Sequence, residues 1–198
     1  MEKNEILKNI RSCVMLFASI VILSIVYTYF LTFATHILVP YQANGSLIYV
    51  NGTVVGSELL GQSFTSPGYF HGRPSAVDYN ASNSGGSNYG PTSATLMNQT
   101  RARIEQVRRE NNLPSNASVP ADLVLSSGSG LDPHISPESA MLQVQRVASA
   151  RGLPESWVQN LVYQYIEGPQ FGFLGSNRVN VLDLNIALDK LSKKEHIS

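Results

Sequence analysis

The segment CVMLFASIVILSIVYTYFLTFATHILV, Cys13 to Val39, contains no Asp, Glu, Lys or Arg. It exceeds the roughly 20 apolar residues a helix needs to cross a bilayer core, and it is too long for the core helix of a small domain. A cleaved signal peptide has an apolar region of about 7 to 15 residues followed by a small-x-small site. The nearest match, Ala34-Thr35-His36, ends in histidine. The segment is therefore expected to persist as an anchor. It divides the chain into a short segment at 1–12, a transmembrane helix at 13–39 and a domain at 41–198.

Flanking charge predicts the orientation. Lys3, Lys8 and Arg11 precede the anchor, and the first Lys or Arg after it is Arg73, far beyond the flank of about 15 to 20 residues that sets topology. The expectation is a single-pass cell-membrane protein with a cytoplasmic N-terminus and an extracytoplasmic domain. Tyr27, Tyr29, Phe30, Phe33 and Tyr41 crowd the outer half, where aromatic side chains suit the lipid interface. Ser24, Thr28, Thr32 and Thr35 are spaced by four, four and three, so they share one helix face. Small hydroxylated residues arranged this way let a neighbouring helix approach closely; alternatively, each hydroxyl bonds back to its own helix.

The charge balance, fourteen basic against fourteen acidic residues, gives no reason to expect a nucleic-acid partner. Cys13 is the only cysteine, which excludes a disulfide within the chain and any multi-cysteine zinc site.

Beyond the anchor, SLIYV and TVVGSELLG flank Asn51-Gly52, the strongest short hairpin signal. A loop rich in Gly, Ser and Asn follows from Gly68 to Pro91, and loops this long are usually functional or disordered. Apolar spacing predicts helices over Ala94–Asn111, Pro137–Arg151 and Pro154–Ile166, the last burying Trp157, Val158, Leu161, Val162 and Tyr165. DLVLS, Asp122 to Ser126, is expected as a buried strand. A final helix is capped by Asn180, with Val179 stapled to Leu184. Strands first and helices later indicate an α+β class: one N-terminal transmembrane helix, then one extracytoplasmic mixed α/β domain.

SSGSGLDPHISPESA, Ser126 to Ala140, has the residue types of an active site. It fails the G-x-S-x-G pattern of a nucleophile elbow, because Ser127 and Gly128 precede Ser129. Asp132 and His134, with His71 and Asp78 elsewhere, offer no tight pair of metal ligands. The stretch is better explained as a stiff loop entering a helix: Gly128 and Gly130 for unusual backbone angles, Ser136 as cap, Pro137 first in the helix and Glu138 favourable to its dipole. Asp132 and His134 are then expected to tie the loop to backbone or to a neighbouring loop. Asn83 to Pro91, NSGGSNYGP, is Gly-rich and feeds a helix but lacks the G-K-[ST] ending of a phosphate cradle. Glycosylation sequons begin at Asn44, Asn51, Asn80, Asn98 and Asn116.

Five stretches, GSELLGQSF, GYFHGRPSA, YNASNSGGSNYGPTS, SSGSGLDPHISPESA with QVQRVASARGL, and FLGSNRVNVLDLNIALD, together resemble in this order the C-subunit family of the Kdp potassium-transporting ATPases. The likeness runs from Gly56 almost to Lys190. It implies a non-catalytic accessory subunit of an ATP-driven, high-affinity potassium uptake complex, needed for assembly and stability. Its implied partners are a channel-like potassium-binding subunit, a P-type ATPase subunit and a small membrane subunit, and those subunits handle ATP and potassium. The family is also described as a catalytic chaperone raising the pump's ATP affinity, through an element whose nearest counterpart here is Ser84, Gly85, Gly86 and Ser87. The expected topology places that element across the membrane from cytoplasmic ATP, so no cofactor-binding residue is assigned and the effect is expected to be indirect. Subunit contacts are expected at Tyr69, Phe70, Arg73, Tyr79, Asn80, Asn88, Asp132 and His134. A membrane-anchored enzyme or a ligand-binding module remains the alternative, to be tested by turnover in the isolated domain and its loss when Asp132 or His134 becomes alanine.

Overall fold

The computed structural model describes residues 2–195. The chain divides into two units, Met1–Leu47 and Ile48–Ser198.

The first unit is dominated by α1, Glu2–Leu38, followed by the short α2, Pro40–Ala43, with Pro40 at its start. At 1.5 Å per residue α1 is about 55 Å long, against a hydrocarbon core of roughly 30 Å. Among the described residues it is the one helix long and apolar enough to cross a membrane. Thr28 Oγ1 donates to the Ser24 carbonyl over 2.8 Å, and Thr35 Oγ1 to the carbonyls of Leu31 and Thr32 over 3.0 and 2.9 Å. Those two hydroxyls of the small-residue stripe are thus satisfied within α1.

The second unit mixes helices and strands, as expected of its class. β1, Leu47–Val50, and β2, Thr53–Ser57, form a two-stranded sheet. The turn between them has Asn51 at φ 51° and Gly52 at φ 78°, the left-handed pair a type I′ hairpin requires. α3, Ala94–Glu110, starts at Ser93, whose hydroxyl accepts the Leu96 N–H. Leu96, Thr100, Ile104 and Val107 are half-buried, as their spacing predicts.

Residues 122–126 do not form a strand. Ala121–Leu123 is one turn of 3-10 helix: the N–H groups of Leu123, Val124 and Leu125 bond to the nearby Pro120 and Ala121 carbonyls instead of to a neighbouring strand, and Leu125 is exposed. The Asp122 carboxylate holds the turn in place by accepting the Ser136 N–H at 2.6 Å and the hydroxyls of Ser136 and Ser139 at 3.3 and 2.5 Å.

The remaining elements are β3, His134–Ile135; α4, Pro137–Arg151; α5, Glu155–Gln164; β4, Ile166–Glu167; β5, Arg178–Asn180; and α6, Val181–Glu195. The three strands form an antiparallel sheet in the order β3-β5-β4, with His134 opposite Asn180 and Ile166 opposite Val179. Their brevity makes them clasps between loops more than a sheet with its own core. α4 packs on α5, α5 on α6, and β5 on both α4 and α6. One cluster results, including Phe70, Ile135, Val144, Val147, Val158, Val162, Val179, Leu184 and Leu188. Asn180 caps α6 by accepting the N–H groups of Leu182 and Asp183. Of the expected stripe on α5, Val158 and Val162 are buried and Leu161 and Tyr165 pack partly buried against the core, while Trp157 departs from it at 46 % exposed.

The β4–β5 connection, 168–177, carries no charge. Paired backbone bonds between Gln170 and Leu174 stiffen its tip. Phe171 and Phe173 stand out from it, 86 % and 76 % exposed, with Phe171 in the left-handed region at φ 53°.

Candidate functional site

The long loop is held by side chains of α4 and α6. Phe70 N–H donates to Asn185 Oδ1 at 2.9 Å while Asn185 Nδ2 donates to the Phe70 carbonyl at 3.0 Å. The next residue is clasped in the same way, with His71 N–H donating to Gln143 Oε1 and Gln143 Nε2 to the His71 carbonyl, at 2.7 and 3.1 Å. Two carboxamides thus supply the hydrogen bonds that strands would give to neighbouring backbone. Arg146, 8 % exposed, adds bonds to the carbonyls of Pro67 and Tyr69, to Asn111 Oδ1 and to Gln143 Oε1. Burial pushes the Arg146 pKa down, and the charge of Glu110 opposes that shift. Arg151 caps the cluster, donating to the Gly68 carbonyl, pairing with Asp189 at 2.8 Å and lying 4.5 Å over the Tyr69 ring.

These contacts settle where the expected contact residues lie. Phe70 is 0 % exposed and part of the core, so its ring offers no surface to a partner. Tyr69 is engaged beneath Arg151, and its hydroxyl donates to Asp189 Oδ2 at 3.2 Å. Asn80 and Asn88 are exposed on the loop, Asn80 Oδ1 accepting the Ser82 N–H and Asn88 at φ 52°.

Arg73, Tyr79, Asp132 and His134 do come together. Arg73 Nη1 donates to Asp132 Oδ2 at 3.0 Å, Asp132 Oδ1 accepts the His134 N–H at 3.0 Å, and His134 Nδ1 lies 3.5 Å from that oxygen. The Tyr79 hydroxyl donates to the Arg73 carbonyl. Burial alone would raise the Asp132 pKa, but hydrogen bonds from His134 and the Arg73 charge outweigh it and leave the carboxyl below its ordinary value. Tyr79 is pushed up by burial and by the Asp132 charge. The carboxylate is thus occupied with an arginine and a backbone amide, as expected of a group that ties loops together.

Ser84 to Ser87 lie along the same junction. Gly85 N–H and Ser84 Oγ both donate to the Ser129 carbonyl, at 2.8 and 3.0 Å. A Cβ on Gly86 would sit 3.0 Å from the Gly128 carbonyl oxygen, and one on Gly130, at φ 69°, would sit 2.8 Å from the Gly85 oxygen. Glycine is therefore needed for close approach of two backbones and, at Gly130, for the left-handed angle. Gly128 has open space and no positive φ, contrary to the expectation for it. The Gly85 amide and the Ser84 hydroxyl, two of the groups a phosphate would need, are engaged with protein.

Ser136 caps α4 by accepting the Ser139 N–H at 3.1 Å, with Pro137 first in the helix and Glu138 in its first turn. Among the described residues, no group of three or more His, Cys, Asp or Glu side chains converges as a metal site would require. Asn185, Gln143 and Arg146 escaped the sequence reading. Their one signal was a polar residue on an otherwise apolar helix face.

Comparison with known proteins gives a consistent answer. Residues 9–190 match the family model described as "KdpC: K+-transporting ATPase, c chain". The chain is 51 % identical over 174 residues to a "Potassium-transporting ATPase KdpC subunit" of Caldanaerobacter subterraneus subsp. tengcongensis, covering 88 % of this chain and 90 % of the relative. Identity is 54 % over 170 residues to the protein so described in Nitratidesulfovibrio vulgaris, with 84 % and 85 % covered. It is 47 % over 203 residues to that of Methylobacterium nodulans, with 95 % and 100 % covered. A match along nearly the whole length shows that the chain belongs to the KdpC family, the c chain of the K+-transporting ATPase.

Proposed function

We propose that the chain is a non-catalytic accessory subunit of an ATP-driven potassium uptake complex, in which potassium and ATP are handled by a channel-like subunit and a P-type ATPase subunit, with a further small membrane subunit present. Residues 1–12 are cytoplasmic, 13–39 span the membrane and 41–198 lie outside. The observation that carries the topology is the charge asymmetry, with Lys3, Lys8 and Arg11 on one flank of the anchor and no Lys or Arg on the other until Arg73.

In this arrangement the Ser24, Thr28, Thr32 and Thr35 face docks α1 against a neighbouring helix, and the exposed part of the loop around Arg73, Tyr79, Asn80 and Asn88 contacts a large subunit at the potassium-entry face. Any rise in the pump's ATP affinity is transmitted through those contacts. The internal hydrogen bonds of Ser84 and Gly85 favour this reading over a nucleotide held by that element.

The test is labelling of an Asn116→Cys variant in a Cys13→Ser background with a membrane-impermeant thiol reagent. Asn116 is exposed. Modification in intact cells is expected. Modification only after lysis would overturn the topology and reopen direct contact with ATP.

A further inference from the structure

α3 is held to its domain differently from the helices that follow it. α4 buries Ala140, Val144, Val147 and Ala148, and α5 buries Val158 and Val162. None of the 17 residues of α3 is buried, and none belongs to the apolar cluster or to the side chains packed against it. Its ties to the rest of the domain are polar and come from its second half. Arg103 Nη1 donates to the Val124 carbonyl and to Ser126 Oγ, at 3.0 and 3.3 Å. Arg108 Nε donates to the Ala117 carbonyl at 3.0 Å, and Glu110 Oε2 lies 3.6 Å from His71 Nδ1. Asn111, directly after the helix, accepts from Arg146 Nε at 3.0 Å. The joint is also imperfect, because Thr100 Oγ1 is buried without a hydrogen-bond partner, and a group in that state gains hydration when it is uncovered.

The loop opposite α3 is anchored without its help. Phe70 is clasped by Asn185 of α6, and His71 by Gln143 of α4. A cavity of about 220 Å³ separates the two, with Arg103, Gln106 and Val107 on the side of α3 and His71, Arg73 and Tyr79 on the side of the loop. A segment with few buried apolar groups loses little on detaching, and such segments open locally well below the free energy of global unfolding.

We infer that α3 is a lid on this cavity. It opens as a unit when Arg103, Arg108 and Asn111 release their partners, while the loop stays clasped and α4, α5 and α6 stay packed. Opening uncovers the inner side of His71, Arg73 and Tyr79, so the lid governs access to the fixed wall behind the exposed loop. The inference goes beyond the subunit reading above and does not depend on it.

Hydrogen exchange of the full chain in detergent, read by mass spectrometry with and without sub-denaturing urea, tests it. Relative to unstructured peptides, amides of α3 should be protected about a hundredfold less than those of α4 and α6, and their exchange should respond less steeply to urea. Arg103→Gln should speed exchange in α3 about tenfold, while α4, α6 and peptides covering 69–72 stay unchanged. Arg103→Lys, which can still donate to a carbonyl, should recover part of the protection. Arg101→Gln, at an exposed position of α3, should change nothing. Equal protection of α3, α4 and α6 in the unaltered chain would overturn the lid. So would an Arg103→Gln effect of the same size on all three helices, which is global unfolding. Exposure of 69–72 in step with α3 would show helix and loop leaving together, and would overturn the fixed wall.

Discussion

Asn185 and Phe70 lie 115 positions apart in the chain and exchange two hydrogen bonds, each donating to the other. The contact fixes the start of the long loop onto α6, and it is buried, with Asn185 2 % exposed. An unsatisfied buried polar group costs about 1–3 kcal/mol. Asn185→Ala leaves the Phe70 N–H and carbonyl both without partners, so a loss of about 3 kcal/mol is expected. Urea unfolding of the full chain in detergent, followed by the fluorescence of Trp157, the only tryptophan, measures it. A loss of a few tenths of a kcal/mol would mean that water replaces the carboxamide.

The Arg73–Asp132 tie should make stability depend on pH in acid. Asp132 is held below its ordinary pKa because its hydrogen bonds and the Arg73 charge outweigh the effect of burial. A carboxyl with a depressed folded pKa stabilises the fold above its unfolded pKa of about 3.9, and loses that contribution as pH falls through the folded value. Asp132→Asn is expected to cost about 1 kcal/mol at neutral pH, a modest figure because the pair is partly solvated. The gap between the two proteins should close as pH falls through the depressed folded value, where the unaltered carboxyl also becomes neutral. A constant gap across the acid range would show that packing, not charge, carries the effect.

Gly130→Ala should separate the two Gly-rich segments. A methyl group there meets the Gly85 carbonyl oxygen at 2.8 Å and the Val77 side chain, at a backbone angle of φ 69°. A cost of about 1–3 kcal/mol is expected, with faster proteolysis between residues 77 and 91. Gly90→Ala is the control, since a Cβ at Gly90 meets nothing within 4 Å. Equal protease sensitivity in the two variants would remove the idea that the junction orders the loop.

Thr28→Leu with Thr32→Leu tests the docking face of α1. The Thr28 hydroxyl already bonds to Ser24, so the change should leave the helix intact and act through bulk. Copurification with the large subunits should fall severalfold while the amount of membrane-inserted chain stays the same. Unchanged assembly and transport would sink the docking role.

What the sequence revealed follows the range of the interactions. The starts of α4 and α6 were legible because Ser136 and Asn180 cap them through hydrogen bonds to residues two or three positions away. The hairpin was legible because Asn51-Gly52 carries its own backbone preference. The strands of the second sheet are two or three residues long, too short to show any alternation. Phe70 was hidden for a different reason. An aromatic residue in a Gly-rich loop is expected at the surface, and only the remote carboxamides of Asn185 and Gln143 make its burial possible. Asp132 ties its loop as expected, but its partner Arg73 lies 59 positions away and left no local mark, while the His134 side chain turns back onto Asp132 in its own loop.

The stiffened tip carries Phe171 and Phe173 as an exposed apolar feature of the kind that folded proteins rarely leave open. Neither ring joins the buried cluster, so the fold owes them no stability and both could be exchanged for polar residues without unpacking the core.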